Sequence, residues 1–267
     1  MKRIGLLAGI GRLPVEFARA ACGMGFAVTA IALTPSVDAE LKTVVTDYHE
    51  ISIGQLDRII AVLAAAGVEE ATLLGKVTKE LMFSGQVTVD DRMKRMLAGL
   101  KDFSDDTLML AFVKELASVN IGVLDQTAFI RALLPQPGVV TKRQPTPQEL
   151  ADMDFGLSMA RAIGGLDIGQ TVVVKDRAVL AVEAIEGTDA CILRGGQLGR
   201  GGVTVAKAAK PSQDLRFDVP AVGPDTLNSM IAAGATALVI EAGKTLLVNR
   251  NRVIELADAN NITIVVK

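Results

Sequence analysis

The sequence has few of the side chains that nucleophilic and redox enzymes use most: one histidine, two cysteines and no tryptophan among 267 residues. Cys22 and Cys191 are too few and too far apart for a disulfide framework or a zinc site, and we expect both to be buried thiols in a reducing compartment. His49 lies in the surface-like stretch Tyr48-His49-Glu50, where a lone histidine is a poor catalytic candidate. These shortages argue against Ser-His-Asp and Cys-His chemistry.

The sequence also lacks an excess of either charge and lacks long apolar runs. The net charge is −2 at pH 7, from 28 basic and 30 acidic residues, which argues against a nucleic-acid partner. No uninterrupted apolar stretch has the length of a membrane helix, and the run that follows Met1-Lys2-Arg3 is too short for a signal peptide. We therefore expect a cytoplasmic protein, with a peripheral contact to the inner membrane left open.

The first half of the chain alternates between strand and helix patterns. Its hydrophobic residues are mostly aliphatic, since aromatic residues make up only 3% of the sequence. Alternation of this kind is typical of an α/β domain with a doubly wound parallel sheet, so we predict a Rossmann-like domain over residues 1–134. The predicted elements are strands Ile4–Ala8, Phe26–Leu33, Ala71–Leu74 and Ile121–Leu124, with helices Leu13–Met24, Gln55–Ala66, Asp90–Leu100 and Asp105–Leu116.

Four of the nine prolines lie between residues 135 and 147, which predicts a linker over residues 135–146. We expect the remainder, residues 147–267, to form a catalytic domain of mixed α+β type in which hairpins are commoner than repeated βαβ units. One such hairpin is predicted between Ala237–Ile240 and Thr245–Val248, across the turn Glu241-Ala242-Gly243-Lys244.

A glycine loop follows the first predicted strand and opens the first helix. Gly9, Gly11 and Pro14 form the pattern G-x-G-x-x-P, at the place where a dinucleotide fold binds a pyrophosphate. The third glycine of the dinucleotide pattern is missing, and the second strand ends Ala32-Leu33-Thr34-Pro35 without the acid that would bind a ribose. A phosphate or nucleotide at this loop and a tight βα turn therefore remain alternatives, and an NAD(P) site is disfavoured.

A second polar segment closes a predicted strand and enters a helix. Glu186, Gly187, Thr188 and Asp189 lie together there. Thr188 or Asp189 would serve as a helix cap on a structural interpretation. Three acids and a hydroxyl within residues 183–189 are more than a cap requires, so we also expect contacts with substrate.

A third polar segment, from Lys210 to Pro220, carries four charged residues. In an extended chain, Asp214, Arg216 and Asp218 would share one face. Two carboxylates beside a guanidinium suit a metal ion next to a phosphate, and a ladder of surface ion pairs is the alternative. With no histidine or cysteine machinery available, the acids favour metal-assisted chemistry on a phosphate ester or anhydride.

Together these motifs resemble a known family. The segments Ala8-Gly9-x-Gly11-x-Leu13-Pro14, Asp167-Ile168-Gly169-Gln170, Glu183-Ala184-x-Glu186-Gly187-Thr188-Asp189-Ala190 and Lys210-Pro211-x-Gln213-Asp214-x-Arg216-x-Asp218-x-Pro220 occur in that order. The chain is similar to the LpxI-type UDP-2,3-diacylglucosamine pyrophosphatase family of lipid A biosynthesis over nearly its whole length. Ile10 departs from the family pattern, because relatives often carry glycine there.

The resemblance implies two domains that hold the substrate between them and a hydrolase that converts UDP-2,3-diacylglucosamine to UMP and 2,3-diacylglucosamine 1-phosphate (lipid X). Water would attack the α-phosphorus, and Mg²⁺ or another divalent cation such as Mn²⁺ would be required. The implied catalytic residues are Asp218, Asp214 and Asp189, of which Asp218 and Asp214 would bind the metal. The implied substrate-binding residues are Gly9, Gly11, Pro14, Glu186, Gly187, Thr188, Lys210, Gln213 and Arg216.

Several points stay open at this level. An apolar groove is needed for the acyl chains, and Leu81-Met82-Phe83 is one candidate for its lining, although core packing would explain these residues more simply. A homo-oligomer is left open. The alternatives to the pyrophosphatase are an NAD(P)-type oxidoreductase and a non-catalytic nucleotide-lipid binding protein.

Overall fold

The computed structural model describes residues 1–77, 88–211, 214, 216 and 219–267. The described residues divide into two compact units: Met1–Ile130 together with Arg216 form the first, and the other residues from Arg131 onward form the second. Leu81-Met82-Phe83, Gln213 and Asp218 lie outside the described residues. None of the helices in the described ranges is long and apolar enough to cross a membrane.

The first unit is built on a parallel sheet with strand order β3-β2-β1-β4-β5. Strand β2 is buried along its whole length, as its apolar run, interrupted only by Thr29, predicts for a strand covered on both faces. The strands are β1 (Arg3–Ala8), β2 (Ala27–Ala32), β3 (Asp47–Glu50), β4 (Glu70–Leu74) and β5 (Gly122–Val123). The helices are α1 (Leu13–Gly23), α2 (Leu41–Val44), α3 (Leu56–Ala65), α4 (Asp91–Ala98) and α5 (Asp105–Ala117).

The core of this unit lies where α3 and its neighbours cover the sheet. The predicted stripe of α3, namely Leu56, Ile59, Ile60 and Leu63, is buried. Two helix starts are fixed by side chains: Asp90 accepts a hydrogen bond from the Met93 N–H, and Ser104 accepts one from the Thr107 N–H. The prediction of a Rossmann-like parallel sheet is confirmed.

The second unit contains a six-stranded mixed sheet in the order β6-β13-β11-β9-β7-β8 and a two-stranded pair, β10-β12. The strands are β6 (Gly138–Val139), β7 (Thr171–Lys175), β8 (Ala178–Val182), β9 (Val203–Lys207), β10 (Ala221–Val222), β11 (Ala235–Ile240), β12 (Leu246–Leu247) and β13 (Thr263–Val266). The helices are α6 (Pro147–Gly165), α7 (Thr188–Gly199), α8 (Pro224–Ala232) and α9 (Arg250–Ala259), preceded by a 3₁₀ turn at Arg131–Leu133.

The two faces of this sheet carry separate cores. One face packs Val173, Val205 and Leu238 against α7, α8 and α9, and the other packs Val172, Ala206 and Val239 against α6. The mixed α+β prediction for this half of the chain is therefore confirmed.

The predicted hairpin around residues 241–244 is wrong. Strand β11 pairs in parallel with β9 and β13, and Leu246–Leu247 pairs in parallel with Ala221–Val222. The expectation that hairpins outnumber βαβ units also fails here, because β9-α8-β11-α9-β13 is a run of parallel crossovers and β7-β8 is the one tight hairpin in the described part of the second unit. The turn-like sequence after β11 ends the strand, and Glu241 within it is buried.

Much of the segment predicted as a linker packs onto the second unit. Strand β6 pairs with β13, and Arg143 donates two hydrogen bonds to Glu149, at 2.9 and 2.7 Å. Glu149 also forms a capping box with Thr146 that starts α6. Burial acts to raise the pKa of Glu149, but the hydrogen bonds from Arg143 and the Thr146 N–H outweigh it and lower the pKa to about 2. The start of α6 is thus tied to the sheet by a charged pair.

Candidate functional site

Three of the four motif segments meet at one edge of the sheet in the second unit. The parallel strands β9 and β11 end at this edge, at Lys207 and Ile240, and the antiparallel strand β7 begins there, at Thr171. Strand β8 also ends there, because it runs antiparallel to β7. Ligands of open α/β sheets bind at the carboxyl ends of parallel strands. The topology therefore marks this edge as the candidate active site.

Lys210 follows β9 and forms an ion pair with Asp167, at 2.7 Å between Lys210 Nζ and Asp167 Oδ1. The sequence interpretation treats Asp167 as part of a turn, and the structure gives it a charged partner. A Cβ on Gly164 would lie 3.4 Å from the Lys210 Cα, so the end of α6 passes close to the Lys210 backbone. The Lys210 side chain is largely buried, which holds a cation at the strand edge.

Glu241 is a buried carboxylate at the same edge that sequence reasoning missed. Its side chain is 3% exposed and accepts hydrogen bonds from Arg161 Nε at 2.9 Å and from the Ala209 N–H at 2.7 Å. The Ala209 contact fixes the backbone directly before Lys210. One sequence signal could have identified Glu241: it directly follows an aliphatic strand. The predicted hairpin instead assigned Glu241 to a surface turn.

A hydrogen-bonded chain of three side chains lies on the opposite face of the edge. Lys207 Nζ donates to the Thr188 hydroxyl at 2.8 Å, and this hydroxyl donates to Glu183 Oε1 at 2.7 Å. Glu183 Oε2 accepts the Gln170 N–H at 3.3 Å. The chain connects the segments around residues 170, 183–188 and 207, so the predicted residue Thr188 lies at its centre.

The neighbours of Thr188 have different surroundings. Gly187 has φ +82°, a backbone conformation that favours glycine, and it precedes the first residue of α7 without a capping side chain. Glu186 is exposed and accepts a hydrogen bond from Arg194; its own backbone N–H and Arg194 lower its pKa. Asp189 is also exposed and accepts a hydrogen bond from Ser229 Oγ at 3.1 Å.

Of the residues in the segment from Lys210 to Pro220, Asp214 and Arg216 are described and half-buried, whereas Gln213 and Asp218 lie outside the described residues. Within the ranges that the structure covers, no group of three or more histidine, cysteine, aspartate or glutamate side chains is arranged to hold a metal ion. Mg²⁺ needs no such group, since it binds one or two carboxylates together with water and phosphate oxygens. The hard oxygen donors of Asp214 and Asp218 fit that chemistry.

The glycine loop in the first unit is held mainly by backbone contacts. The Gly9 and Ile10 N–H groups donate to the carbonyls of Leu74 and Lys76, at 2.7 and 2.8 Å. A Cβ on Gly9 would lie 2.7 Å from the backbone of Gly75, so this position requires glycine. Gly11 is exposed, with φ +113° and open space around it. Gly11 is therefore better placed than Gly9 for contact with a ligand.

Arg12 binds the acids that follow β2. Its guanidinium donates to Asp38, at 3.0 Å, and to Glu40, which also pairs with Arg19. The hydrogen bond to Glu40 is the largest influence raising the pKa of Arg12. Pro14 is buried at the start of α1. The two acids that follow β2, Asp38 and Glu40, therefore already have cationic partners.

Comparison with known proteins supports the resemblance of the motifs to one family. Residues 3–133 match the LpxI N-terminal domain and residues 136–265 match the LpxI C-terminal domain. The chain is 35% identical to the UDP-2,3-diacylglucosamine pyrophosphatase LpxI of Caulobacter vibrioides, over 97% of this chain and 95% of that protein. This chain belongs to the LpxI family. The segments that meet at the sheet edge, including Lys210 and Thr188, lie within its LpxI C-terminal domain.

Two weaker similarities were also found. The chain is 34% identical to the bifunctional purine biosynthesis protein PurH of Chlorobaculum parvum, over 57% of this chain but only 27% of that protein. Among solved structures, the N5-carboxyaminoimidazole ribonucleotide synthetase from Thermotoga maritima has a TM-score of 0.25 and 17% identity, over 68% of this chain and 41% of that one. Neither bears on the assignment to the LpxI family.

Proposed function

We propose that this LpxI-family protein hydrolyses the pyrophosphate bond of UDP-2,3-diacylglucosamine, giving UMP and 2,3-diacylglucosamine 1-phosphate, with a divalent cation and with water attacking the α-phosphorus. The observation that carries the proposal is the convergence of the segments around residues 170, 188 and 210 at one sheet edge of a chain similar over 97% of its length to a pyrophosphatase. A pyrophosphate brings negative charge to this edge, where Lys207 and Lys210 supply positive charge.

We propose separate roles in binding and chemistry for the residues of the motif segments. Lys210 and Arg216 would offset the charge that develops on the phosphates during attack by water. Gly187 and Thr188 at the start of α7 would bind a phosphate oxygen. Glu186 and Gln213 would complete the contacts with substrate.

We propose that the acids bind the metal ion and orient the attacking water. Asp218 and Asp214 are the residues we propose as ligands of Mg²⁺ or Mn²⁺, and Asp218 is the first candidate for orienting water. A divalent cation, when bound, neutralises phosphate charge and activates water. Asp189, which Ser229 holds, is a second-rank candidate for the same role.

The oxidoreductase alternative is less well supported by the first unit. The acids after β2 are paired with Arg12 and Arg19, and the Gly9 N–H is bonded inside the fold. A ribose would have to displace one of these ion pairs. A non-catalytic binding protein would not need the acids of the segment from Lys210 to Pro220, so the presence of Asp214 and Asp218 in the sequence favours the enzyme.

The function is tested by incubating the purified protein with UDP-2,3-diacylglucosamine, with Mg²⁺ and with EDTA, and quantifying UMP and the lipid product. We expect equimolar products with Mg²⁺ and none with EDTA. A protein that binds the substrate without turnover at any metal concentration would support the binding-protein alternative, and reduction of NAD(P)⁺ would support the oxidoreductase.

We also propose that the enzyme meets its lipid substrate at a membrane surface through an apolar rim formed by Leu166, Ile168 and Ile185. Their side chains are 71%, 46% and 100% exposed. The two loops that carry them are in backbone contact, because a Cβ on Gly169 would lie 2.2 Å from the Glu183 carbonyl oxygen. Exposed aliphatic side chains beside a site for a diacylated substrate suit contact with lipid.

The triple variant Leu166→Ser, Ile168→Ser, Ile185→Ser should lose binding to vesicles by about tenfold or more, because each aliphatic side chain contributes favourably on burial in lipid. Its turnover of a short-chain soluble substrate should stay near that of the unmodified protein. Vesicle flotation measures the first quantity and UMP release the second.

Leu198→Ser is the matched control, since Leu198 is 62% exposed at the far end of α7. Equal loss of vesicle binding in the control and the triple variant would contradict the rim, as would unchanged binding in the triple variant.

A further inference from the structure

We propose that Lys207, Thr171 and the first turn of α7 form an anion-binding position that takes a phosphoryl group. The position lies on the face of the sheet opposite to Glu241 and has its own side chains. Its assignment to a phosphoryl group of the substrate rests on the proposed function. Its affinity for an anion rests on the geometry alone.

The first observation is the burial of the Lys207 ammonium. Lys207 is 8% exposed and continues the buried face formed by Val203 and Val205. In the part of the chain that the structure describes, its ammonium makes one hydrogen bond, to the neutral Thr188 hydroxyl. An ammonium has three donors, and a buried charge is stable only when it is paired and hydrogen-bonded. Lys207 therefore keeps donors available for an anion.

The carboxylate of Glu183 does not accept a hydrogen bond from the Lys207 ammonium. Glu183 accepts from the Thr188 hydroxyl and from the Gln170 N–H, so the hydroxyl separates it from Lys207. No direct Glu183–Lys207 ion pair is among the contacts of the described residues. The Thr188 hydroxyl thus lies between the carboxylate and the ammonium, and no described residue is a direct counterion of Lys207.

The second observation is an unused donor next to Lys207. Thr171 is fully buried, and its hydroxyl has no hydrogen-bond partner in the described ranges. Thr171 is the cross-strand neighbour of Lys207 between β7 and β9, so both side chains project from the same face of the sheet. Thr72 and Thr245 also have buried hydroxyls without a partner in the described ranges, but the cross-strand position beside the buried Lys207 ammonium distinguishes Thr171. Its hydroxyl can donate to a bound acceptor oxygen.

The third observation is the start of α7, to which Lys207 is bound through Thr188. Helix α7 has 12 residues, and no side chain caps its first turn. The first N–H groups of a helix have no partner inside the helix and carry the positive end of its dipole. The ammonium, the Thr171 hydroxyl and these N–H groups are all donors. Their common complement is a group with several acceptor oxygens and negative charge, which a phosphoryl group supplies.

The test measures the affinity of the full chain for UMP and for inorganic phosphate by calorimetry. Lys207→Met should weaken UMP binding by about 10- to 100-fold, since a hydrogen bond from a charged donor is lost, and Lys207→Arg should restore most of the affinity. Thr171→Val should lower the affinity by a few fold with unchanged or higher thermal stability, because the hydroxyl makes no hydrogen bond to any described residue. A purely structural role would leave the affinity of this last variant unchanged.

Lys175→Met is the matched control. Lys175 donates to the carbonyls of Gly199 and Gly201 at the other end of α7, so its loss should lower stability and leave UMP affinity unchanged. Equal loss of affinity in Lys175→Met and Lys207→Met would overturn the inference. Unchanged UMP and phosphate affinity in Lys207→Met would also overturn it, as would a protein that binds neither probe.

The UMP and phosphate arms separate the source of the anion. Lys207-dependent binding of both probes supports a phosphoryl site, and dependence for UMP alone places the nucleotide phosphate there. Lys207-dependent binding in a protein that does not cleave UDP-2,3-diacylglucosamine would support the anion position and contradict the proposed function. Cleavage of UDP-2,3-diacylglucosamine together with anion binding that does not depend on Lys207 would support the proposed function and contradict the anion position.

Discussion

Replacement of Asp218 by alanine should lower turnover of UDP-2,3-diacylglucosamine by about 10³-fold while the protein stays folded, because it removes the carboxylate that we propose for metal binding and water orientation. Asp218 belongs to the charged segment from Lys210 to Pro220 and lies four residues after Asp214, the other proposed ligand. Binding of UMP should change by no more than a few fold, since the proposed phosphoryl contacts come from Lys207 and the start of α7. The loss is therefore expected in kcat, measured by UMP release at saturating substrate.

Asp225→Asn is the control for this prediction. Asp225 lies seven residues further along, exposed in the first turn of α8 and outside the motif segments. Its loss should change stability by a few tenths of a kcal/mol through the helix dipole and leave kcat unchanged. Near-normal turnover in Asp218→Ala would contradict the catalytic assignment. Unfolding of this variant would also contradict it, because it would show that Asp218 stabilises the fold.

Replacement of Glu241 by alanine should lower the free energy of unfolding by about 2–4 kcal/mol, because it leaves a buried Ala209 N–H and the Arg161 guanidinium without their acceptor. Urea denaturation measures this change. Glu241 also holds the backbone next to Lys210, so kcat/KM at a temperature well below melting should fall by about 10- to 100-fold. Glu241→Gln should recover part of both losses, since the amide oxygen still accepts the Ala209 N–H.

The exposed pair of Arg252 and Glu255 provides the contrast. The two side chains are 3.3 Å apart and more than half exposed. Glu255→Ala should change the stability by no more than about 0.5 kcal/mol. A similar small effect for Glu241→Ala would show that the buried carboxylate does not support the strand edge.

The sequence predicts the parts of the fold whose pattern is local. Strand β2 is aliphatic apart from Thr29, the α3 stripe has helical spacing, and the Thr146–Glu149 capping box marks the start of a helix. Strand β3 has no such pattern, because Asp47-Tyr48-His49-Glu50 lies at the edge of its sheet and buries little. Strands β6, β10 and β12 have two residues each, which is too short for a periodic signal.

Pairing between distant strands is the part that local patterns do not reveal. The turn-like residues 241–244 between two apolar segments predict a hairpin, whereas β11 pairs with β9 and β13, more than 20 residues away in each direction. This error hid Glu241, since only the parallel order places it beside Ala209. Lys207 was missed for a related reason, because its burial follows from the cross-strand position of Thr171 and from α7.

The sequence identifies the motif segments of the candidate site but does not identify the residues that they contact. The segments containing Thr188 and Lys210 were identified from their charge and their resemblance to the LpxI family, and the structure places both at one sheet edge. The partners of these residues, Glu183 and Asp167, come from other segments of the chain. No spacing rule connects residues that meet only when a sheet forms.

The most direct test of the account is hydrolysis of UDP-2,3-diacylglucosamine by the purified protein in ¹⁸O-labelled water with Mg²⁺, followed by mass spectrometry of both products. The account predicts one ¹⁸O atom in UMP and none in 2,3-diacylglucosamine 1-phosphate, because water attacks the α-phosphorus. Label in the sugar phosphate would place the attack on the other phosphorus and contradict the proposed mechanism. The absence of both products from a folded, Mg²⁺-supplied protein would contradict the pyrophosphatase function itself.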